Sequence, residues 1–461
     1  MVLPPEIFLT ESLRCSSLGA DICQVLSDVL KQVDPADAIK RNLSRNTSRL
    51  ILGNQAVDLS DFERVFILGV GKAAVPMVSA AAGILQPLIT SGVLITKEGH
   101  LDRSMMPPRG RIAMFEAGHP LPDRRNLQAS SSVAALAQDI NPGDLVICLI
   151  SGGASSLLIK PAPDLSLQDI KSLTSLLLSV GISIDELNTV RKHLDIFKGG
   201  GLARSLFPAT VVSFILSDVI GDRLDMVASG PTVADPTTFA DAWAILEKYH
   251  ILAQVPESIR AHLKAGISGT IPETVKPGDP ILNRVRNILI GNNTQAVNAA
   301  SQAAMKLGFT TKILTTSLHG EAFEAGRKLS EIAISNITHN RAHRHTTCLI
   351  AGGETTVTLK GNGKGGRNQE LALASVPGLA SAENELLLVS LATDGGDGPT
   401  DAAGAVAATN HTLLRGEMLG LSPQHYLQRN DSYHYFEQLG DLIKTGPTLT
   451  NVNDLVFIFI A

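Results

Sequence analysis

The stretch that most constrains what this chain can fold into is RVFILGVGKAAVPM, Arg64 to Met77. An apolar run, Val65 to Leu68, stops at Gly69-Val70-Gly71, and a helix-compatible segment follows at once. That is how a strand feeds an anion-binding turn in an open α/β sheet. With Ala74 in the third small position the stretch reads G-x-G-x-x-A, the dinucleotide fingerprint with its permitted alanine. A lysine, Lys72, stands inside the turn, so the same residues suit either NAD or a phosphate in transfer. A dinucleotide site wants an acid at the end of the second strand, about 20 residues beyond the glycines. Here GVLITKEGH reaches Lys97 before Glu98. The chain has no G-x-x-x-x-G-K-[ST] pattern, which excludes a P-loop kinase but leaves phosphoryl transfer open.

The remainder alternates in the same sense. Strands are expected at 64–69, 92–96, 112–116, 144–150 and 210–217, with helices at 72–85, 124–138, 167–179 and 240–249. Residues 10–48 read as two amphipathic helices broken near Pro35. Strands rich in Val, Ile and Leu between helices predict a parallel sheet covered on both faces. Residues 265–283, rich in Gly and Pro, divide a Rossmann-like domain at 1–264 from a smaller α/β domain at 284–461. The first helices of the chain have the option of packing on that second domain. Its strands are expected near 286–291, 310–315, 346–351 and 386–392, its helices near 294–307 and 321–339. NRAHRHTT, at 340–347, reads as a basic surface turn.

Composition removes several function classes. With 461 residues, 44% hydrophobic and only 18% charged, the chain can bury two cores. A net charge of −5 supplies no basic field for nucleic acid or an anionic membrane. No apolar run approaches ~18 residues, and the first residues lack a signal-peptide pattern. Of the four cysteines, Cys148 and Cys348 sit in apolar strand-like runs, and none shows metal-ligand pairing. The expectation is a cytoplasmic protein acting on small molecules, with a homodimer left open.

Chemistry belongs in the loops after the strands. Ser151-Gly152-Gly153-Ala154-Ser155-Ser156 follows LVICLI, and its small residues let amides and hydroxyls close on an anion. In LNTVRKHLDIFKGGGLA, a helix over 187–197 would put Asn188, Arg191 and Asp195 on one face and turn Lys192 away to solvent. Lys198, set against Gly199-Gly200-Gly201, is a phosphate candidate because glycines permit close backbone approach. Asp218, Asp222 and Asp225 end the next strand, and a few such oxygens suffice for Mg²⁺. Glu354, Lys364 and Arg367 lie among glycines, with Arg367 at a helix start where its fork suits phosphate or carboxylate oxygens. Asp394, Asp397 and Asp401 form an acidic loop that lacks the closing Glu of a Ca²⁺ site.

The ordered set GVGKAA, TKEGH, EAGHPLPD, SGGASSLL, LNTVRKHL, KGGGLA, SDVIGD, ASGPT, AGGETTV, GKGGRNQE, ATDGGDGPTDAAGA and TGPT resembles the glycerate 2-kinase family, whose C-terminal part is the MOFRL domain. The likeness spans nearly the whole chain. It implies two α/β domains with the active site in a cleft, and ATP-dependent phosphorylation of D-glycerate to 2-phosphoglycerate with Mg²⁺. The family's active-site lysine and arginine match Lys72 and Arg367. Gly71, Ser151, Gly152, Gly153, Ser155, Ser156, Asn188, Arg191, Lys198 and Glu354 are then the candidates for substrate and phosphate, and Asp218, Asp222, Asp394 and Asp397 for metal. Asp195 stands where the family pattern has serine, and Leu449 where it has glycine. The alternative is an NAD(P)H-dependent hydroxypyruvate reductase, a label that relatives of this family also carry.

Overall fold

The structure, a computed structural model, describes residues 3–105, 111–340, 346–409 and 411–461. Most of the 340–347 turn therefore lies outside the described residues. The chain forms two compact units, one of Pro35–Ile290 and one of Met1–Asp34 with Gly291–Ala461. Residues 265–283 thus group with the first unit, and the opening helices group with the second.

Pro35–Ile290 begins with the helix Pro35–Asn42, which gives way to a small antiparallel sheet of β1 (Leu43–Arg45), β2 (Arg49–Leu52) and β3 (Gln55–Asp58). The expected helix to residue 48 is shorter because Leu43, Ser44 and Arg45 pair with Leu52, Ile51 and Leu50. The main sheet contains β4 (Arg64–Val70), β5 (Ile89–Lys97), β6 (Ile112–Ala117), β7 (Asp144–Ile150), β8 (Thr210–Leu216) and β9 (Val285–Gly291). Their order is β6-β5-β4-β7-β8-β9, and the pairs from β6 through β8 are parallel. This is the 3-2-1-4-5-6 order of a doubly wound sheet, with its reversal point between β4 and β7. Both central strands are buried along most of their length, which explains their unbroken apolar sequences. Phe66, Leu68 and Val146 pack with Ala129 and Val133 of the helix Arg124–Gln138. Gly69 is dictated by that layering, since a Cβ there would lie 2.2 Å from Val78 Cγ2 in the helix Ala74–Leu85.

The second unit holds β10 (Thr310–Leu318), β11 (Thr347–Gly353), β12 (Leu386–Ala392), β13 (Gly404–Ala408), β14 (Leu442–Ile443) and β15 (Asp454–Ile460), in the order β10-β11-β15-β12-β13-β14. Among the described residues of this sheet, β10 and β11 pair in parallel and the other pairs run antiparallel. β15 is buried throughout and sits between β11 and β12. The opening segment is tied in by Asp441, whose carboxylate accepts from the amide and hydroxyl of Ser12, each at 2.7 Å. Cys148 and Cys348 are buried in β7 and β11. Among the described residues no helix is long and apolar enough to cross a membrane.

Candidate functional site

Lys72 follows β4 and Ser151 follows β7, so the two loops meet at the reversal point of the sheet, where open α/β sheets bind ligands. Their approach is close. Gly71 has φ +128, and a Cβ on it would stand 2.2 Å from Ser151 Oγ. The amide of Gly71 donates to Ile95 O (3.1 Å), that of Lys72 to Gly152 O (2.9 Å), and that of Ala73 to Ser151 Oγ (3.0 Å). A dinucleotide turn presents such amides to a pyrophosphate; here they are spent on the neighbouring loop. Gly71 and Ser151 therefore join the two loops. The amides of Gly152 and Gly153, by contrast, have no acceptor among the described residues. Gly153 adopts φ +83, and its Cα faces His119 and Lys72 so tightly that a Cβ would meet His119 Nε2 at 2.9 Å and Lys72 Cγ at 3.3 Å.

From this loop a hydrogen-bonded chain runs inward. Ser155 Oγ lies 3.0 Å from Ser229 Oγ, which donates to Asn188 Oδ1 at 2.9 Å. Ser156 Oγ turns back to Gly153 O. Ser229 was not among the candidates, although ASGPT signals it: Ala228, Ser229 and Gly230 all have positive φ, between 55° and 62°. Two consecutive non-glycine residues in that region store strain, here fixed by burial and by Ser229's bonds.

The helix after this point is Ile184–Lys192, so Asp195 lies beyond it and the expected 187–197 helix is corrected. Lys192 is corrected too. It is buried, with Nζ 3.2 Å from Asp225 and 3.3 Å from Asp235, where a solvated face was expected. Asp225 is thereby engaged in an ion pair. Lys198 is buried, donates to Leu158 O (3.0 Å) and pairs with Asp195 (3.1 Å). Burial lowers the Lys198 pKa, and Asp195 partly restores it. The glycines after it are no cradle: Gly199 and Gly200 amides donate to Ser229 O and Gly230 O, and a Cβ on Gly200 would strike Val275 at 2.5 Å. Arg191 differs from all of these. Its guanidinium makes no hydrogen bond or ion pair among the described residues, and burial alone lowers its pKa.

In the second unit Arg367 opens the helix Arg367–Leu379, as expected. Its Nε and Nη2 reach Asp454 at 2.5 and 2.9 Å, and its Nη1 reaches Glu354 at 2.7 Å. Burial opposes its charge, but Asp454 and Glu354 outweigh that and raise its pKa. Three of its five N–H groups are thus directed at carboxylates. Glu354 also accepts from Asn453 Nδ2, so its role is to hold Arg367.

The acids separate into different jobs. Asp397 is fully buried and accepts from the amides of Asn368 (3.1 Å) and Gln369 (2.9 Å) at the start of the Arg367 helix. Burial pushes its pKa up to about 6, against those amide bonds. Both Asp397 oxygens accept there, so the residue anchors the start of that helix. Asp401 accepts from Tyr433 and pairs with Lys444. Asp218, Asp222 and Asp394 are half-exposed in loops after β8 and β12. Among the described residues no three His, Cys, Asp or Glu side chains converge on a metal position. One or two carboxylates with ligand phosphates and water still fit Mg²⁺.

Residues 21–264 match a domain of unknown function, DUF4147, and residues 347–454 match the MOFRL family. A glycerate 2-kinase of Pyrococcus horikoshii is 39% identical over 435 residues, covering 94% of this chain and 95% of its own. A relative from Agrobacterium vitis, 42% identical and covering 86% of this chain and 87% of its own, carries a provisional hydroxypyruvate reductase name. The crystal structure of a glycerate kinase from Thermotoga maritima superposes with a TM-score of 0.81 at 40% identity, covering 96% of this chain and all of that one. With both family models in order and such identity over nearly its full length, the chain belongs to the glycerate 2-kinase family.

Proposed function

We propose that this protein transfers the terminal phosphoryl group of ATP to O2 of D-glycerate, with Mg²⁺. The observation that carries the reading is the state of the turn after β4. Its amides are bonded to the protein, so a ligand at this turn would meet the Lys72 side chain and not a cradle of backbone amides. An ammonium so placed stabilises charge spread over transferring phosphoryl oxygens, whereas a dinucleotide turn relies on free amides for the pyrophosphate. Glu98, the one acid near the ribose position of a dinucleotide site, is paired with Arg125 at 3.0 Å. The name of the Pyrococcus relative supports O2 as acceptor.

In this reading Lys72, with the amides of Gly152 and Gly153, binds and orients the phosphoryl group. Arg367, charged and held by Glu354 and Asp454, offers its two remaining N–H groups to a carboxylate or phosphoryl oxygen. Mg²⁺, when bound through Asp218, Asp222 or Asp394, shields the donor's phosphates. The new O–P bond forms at the glycerate O2 as the bond to ADP breaks, and the hydroxyl proton leaves to solvent.

The test is to incubate the purified chain with D-glycerate, ATP and MgCl₂, and separately with hydroxypyruvate and NADH or NADPH. ADP and 2-phosphoglycerate should form together, EDTA should abolish this, and Mg²⁺ should restore it. Oxidation of NAD(P)H without glycerate-dependent ADP release would overturn the proposal in favour of the reductase.

A further inference from the structure

One pocket lies wholly inside the Pro35–Ile290 unit, next to the Lys72 loops. Its walls come from Pro120–Pro122, the helix Leu167–Ser179 and the stretch Val190–Lys198, and it opens to solvent at its mouth. The walls are mainly apolar, with Leu121, Ile170, Leu173, Leu177 and Leu194 prominent. One end is polar, formed by Ser155, Ser156, Arg191 and the Asp195–Lys198 pair.

The charges at that end are unequal. Lys198 and Asp195 neutralise each other at 3.1 Å, and Asp195 also accepts from the amides of Lys160 (2.8 Å) and Phe197 (2.9 Å). Arg191 has no such partner among the described residues, so its positive charge at that end is uncompensated, and Lys171 adds a second cation to the lining. An unpaired, largely desolvated guanidinium is unfavourable unless an anion completes it. The ligand that fits therefore has an apolar part for the walls and an anionic part for Arg191.

D-Glycerate does not meet that description. Each of its three carbons bears oxygen, and placing it against leucines would strip water from polar groups without return. Of the two reactants, the nucleotide has an extended, weakly polar face joined to an anionic chain. The connection to the reacting end is also built in. Ser155 and Ser156, at the polar end of the pocket, belong to the same turn as Gly152 and Gly153, which face Lys72. The preceding residue of the opposite wall, His119, abuts Gly153.

We infer that this pocket takes the heterocyclic base of the phosphoryl donor, with Arg191 on one of its phosphates. This rests on the kinase reading above. It makes Arg191 a nucleotide residue, and it assigns donor recognition to the apolar walls between Leu121 and Leu173.

The experiment compares ADP with inorganic tripolyphosphate by titration calorimetry on the full chain. Tripolyphosphate has the charge and lacks the base, so ADP should bind more tightly to the unaltered protein. Thr174→Trp, at a half-exposed position of the wall, should fill the pocket. It should weaken ADP binding at least about tenfold and leave tripolyphosphate binding and the KM for glycerate unchanged. Arg191→Met should weaken both ligands by about tenfold, since no acid is left unpaired by its removal. ADP binding by Thr174→Trp within about twofold of the unaltered chain overturns the inference, as does tripolyphosphate binding as tightly as ADP. If glycerate-dependent ADP release persists in either case, the kinase reading stands and the pocket assignment alone fails. A chain that binds no ADP and phosphorylates no glycerate removes both.

Discussion

Gly153→Ala isolates the meeting of the two loops from the stability of the fold. The residue has φ +83 and ψ −9, so alanine there costs about 1–2 kcal/mol in backbone strain. The added methyl would also lie 2.9 Å from His119 Nε2 and 3.3 Å from Lys72 Cγ. Ordinary contact begins near 3.4 Å, so the His119 ring must retreat by roughly half an ångström and the Lys72 stem by about a tenth. Misplacement by about 1 Å at a reacting centre costs on the order of 10²-fold, and half that distance about tenfold. The expected result is a melting temperature about 2–8 °C lower and a kcat/KM for glycerate about tenfold lower. Gly181→Ala is the matched control, with φ +70 and nothing within 4 Å of the added carbon. It should share the stability loss and keep full activity. Differential scanning calorimetry and a coupled ADP assay read the two effects. Full kcat/KM in Gly153→Ala, or an equal activity loss in Gly181→Ala, refutes the argument that this contact positions Lys72.

Four further outcomes follow from the same geometry. Lys72→Ala should keep its fold and lose about 10²-fold in kcat, and near-complete activity would remove Lys72 from the mechanism. Lys192→Met strands Asp235, whose side chain is wholly buried, and should destabilise the protein by about 3–5 kcal/mol in urea titration; a loss below about 1 kcal/mol would restore the solvated reading of that lysine. Leu449 has φ +60, and Leu449→Gly should stabilise the protein by about 1 kcal/mol, whereas a lower melting temperature would mean that its side-chain packing outweighs the strain. Arg367→Lys should lower kcat and kcat/KM together, because one ammonium cannot span Glu354 and Asp454 while addressing a ligand; a rise in KM alone contradicts this.

The doubly wound sheet was legible because β4 and β7 are buried on both faces, and such burial writes itself as an unbroken apolar run. β13 and β15 were not legible. β13 is GAVAA, small because a Cβ on Gly404 would meet Ser390 O at 1.8 Å, and it lacks the branched residues that mark a strand. β15 is apolar enough, but its insertion between β11 and β12 is a pairing across many residues that no local period encodes. The glycine runs told where a side chain is not tolerated, not what fills the space. At Gly200 the neighbour is Val275, where a phosphate was expected, and at Gly366 it is Asp397. The buried state of Lys192 escaped for the same reason, since Asp225 and Asp235 stand 33 and 43 residues further on. Lys72 and Arg367 stood out as candidates from their glycine-flanked positions and again from the family motifs; only the geometry revealed that one turn has spent its amides and that the arginine arrives with two carboxylates attached.

The placement of β15 has a consequence for how the enzyme is made. Ser12 and Asp441, which bond to each other, are separated by 429 positions, and β15, the strand between β11 and β12, follows every other strand of its sheet along the chain. Domains fold as units during synthesis, N-terminal first. Pro35–Ile290 can complete its sheet on the ribosome, while the helices ahead of it wait for a partner not yet synthesised. A chain arrested before Asp454 would carry a finished Lys72 loop but only one of the two carboxylates that seat Arg367. The seating of Arg367 is thus the part of the fold that waits longest for its partners, since Asp454 opens the seven-residue strand β15.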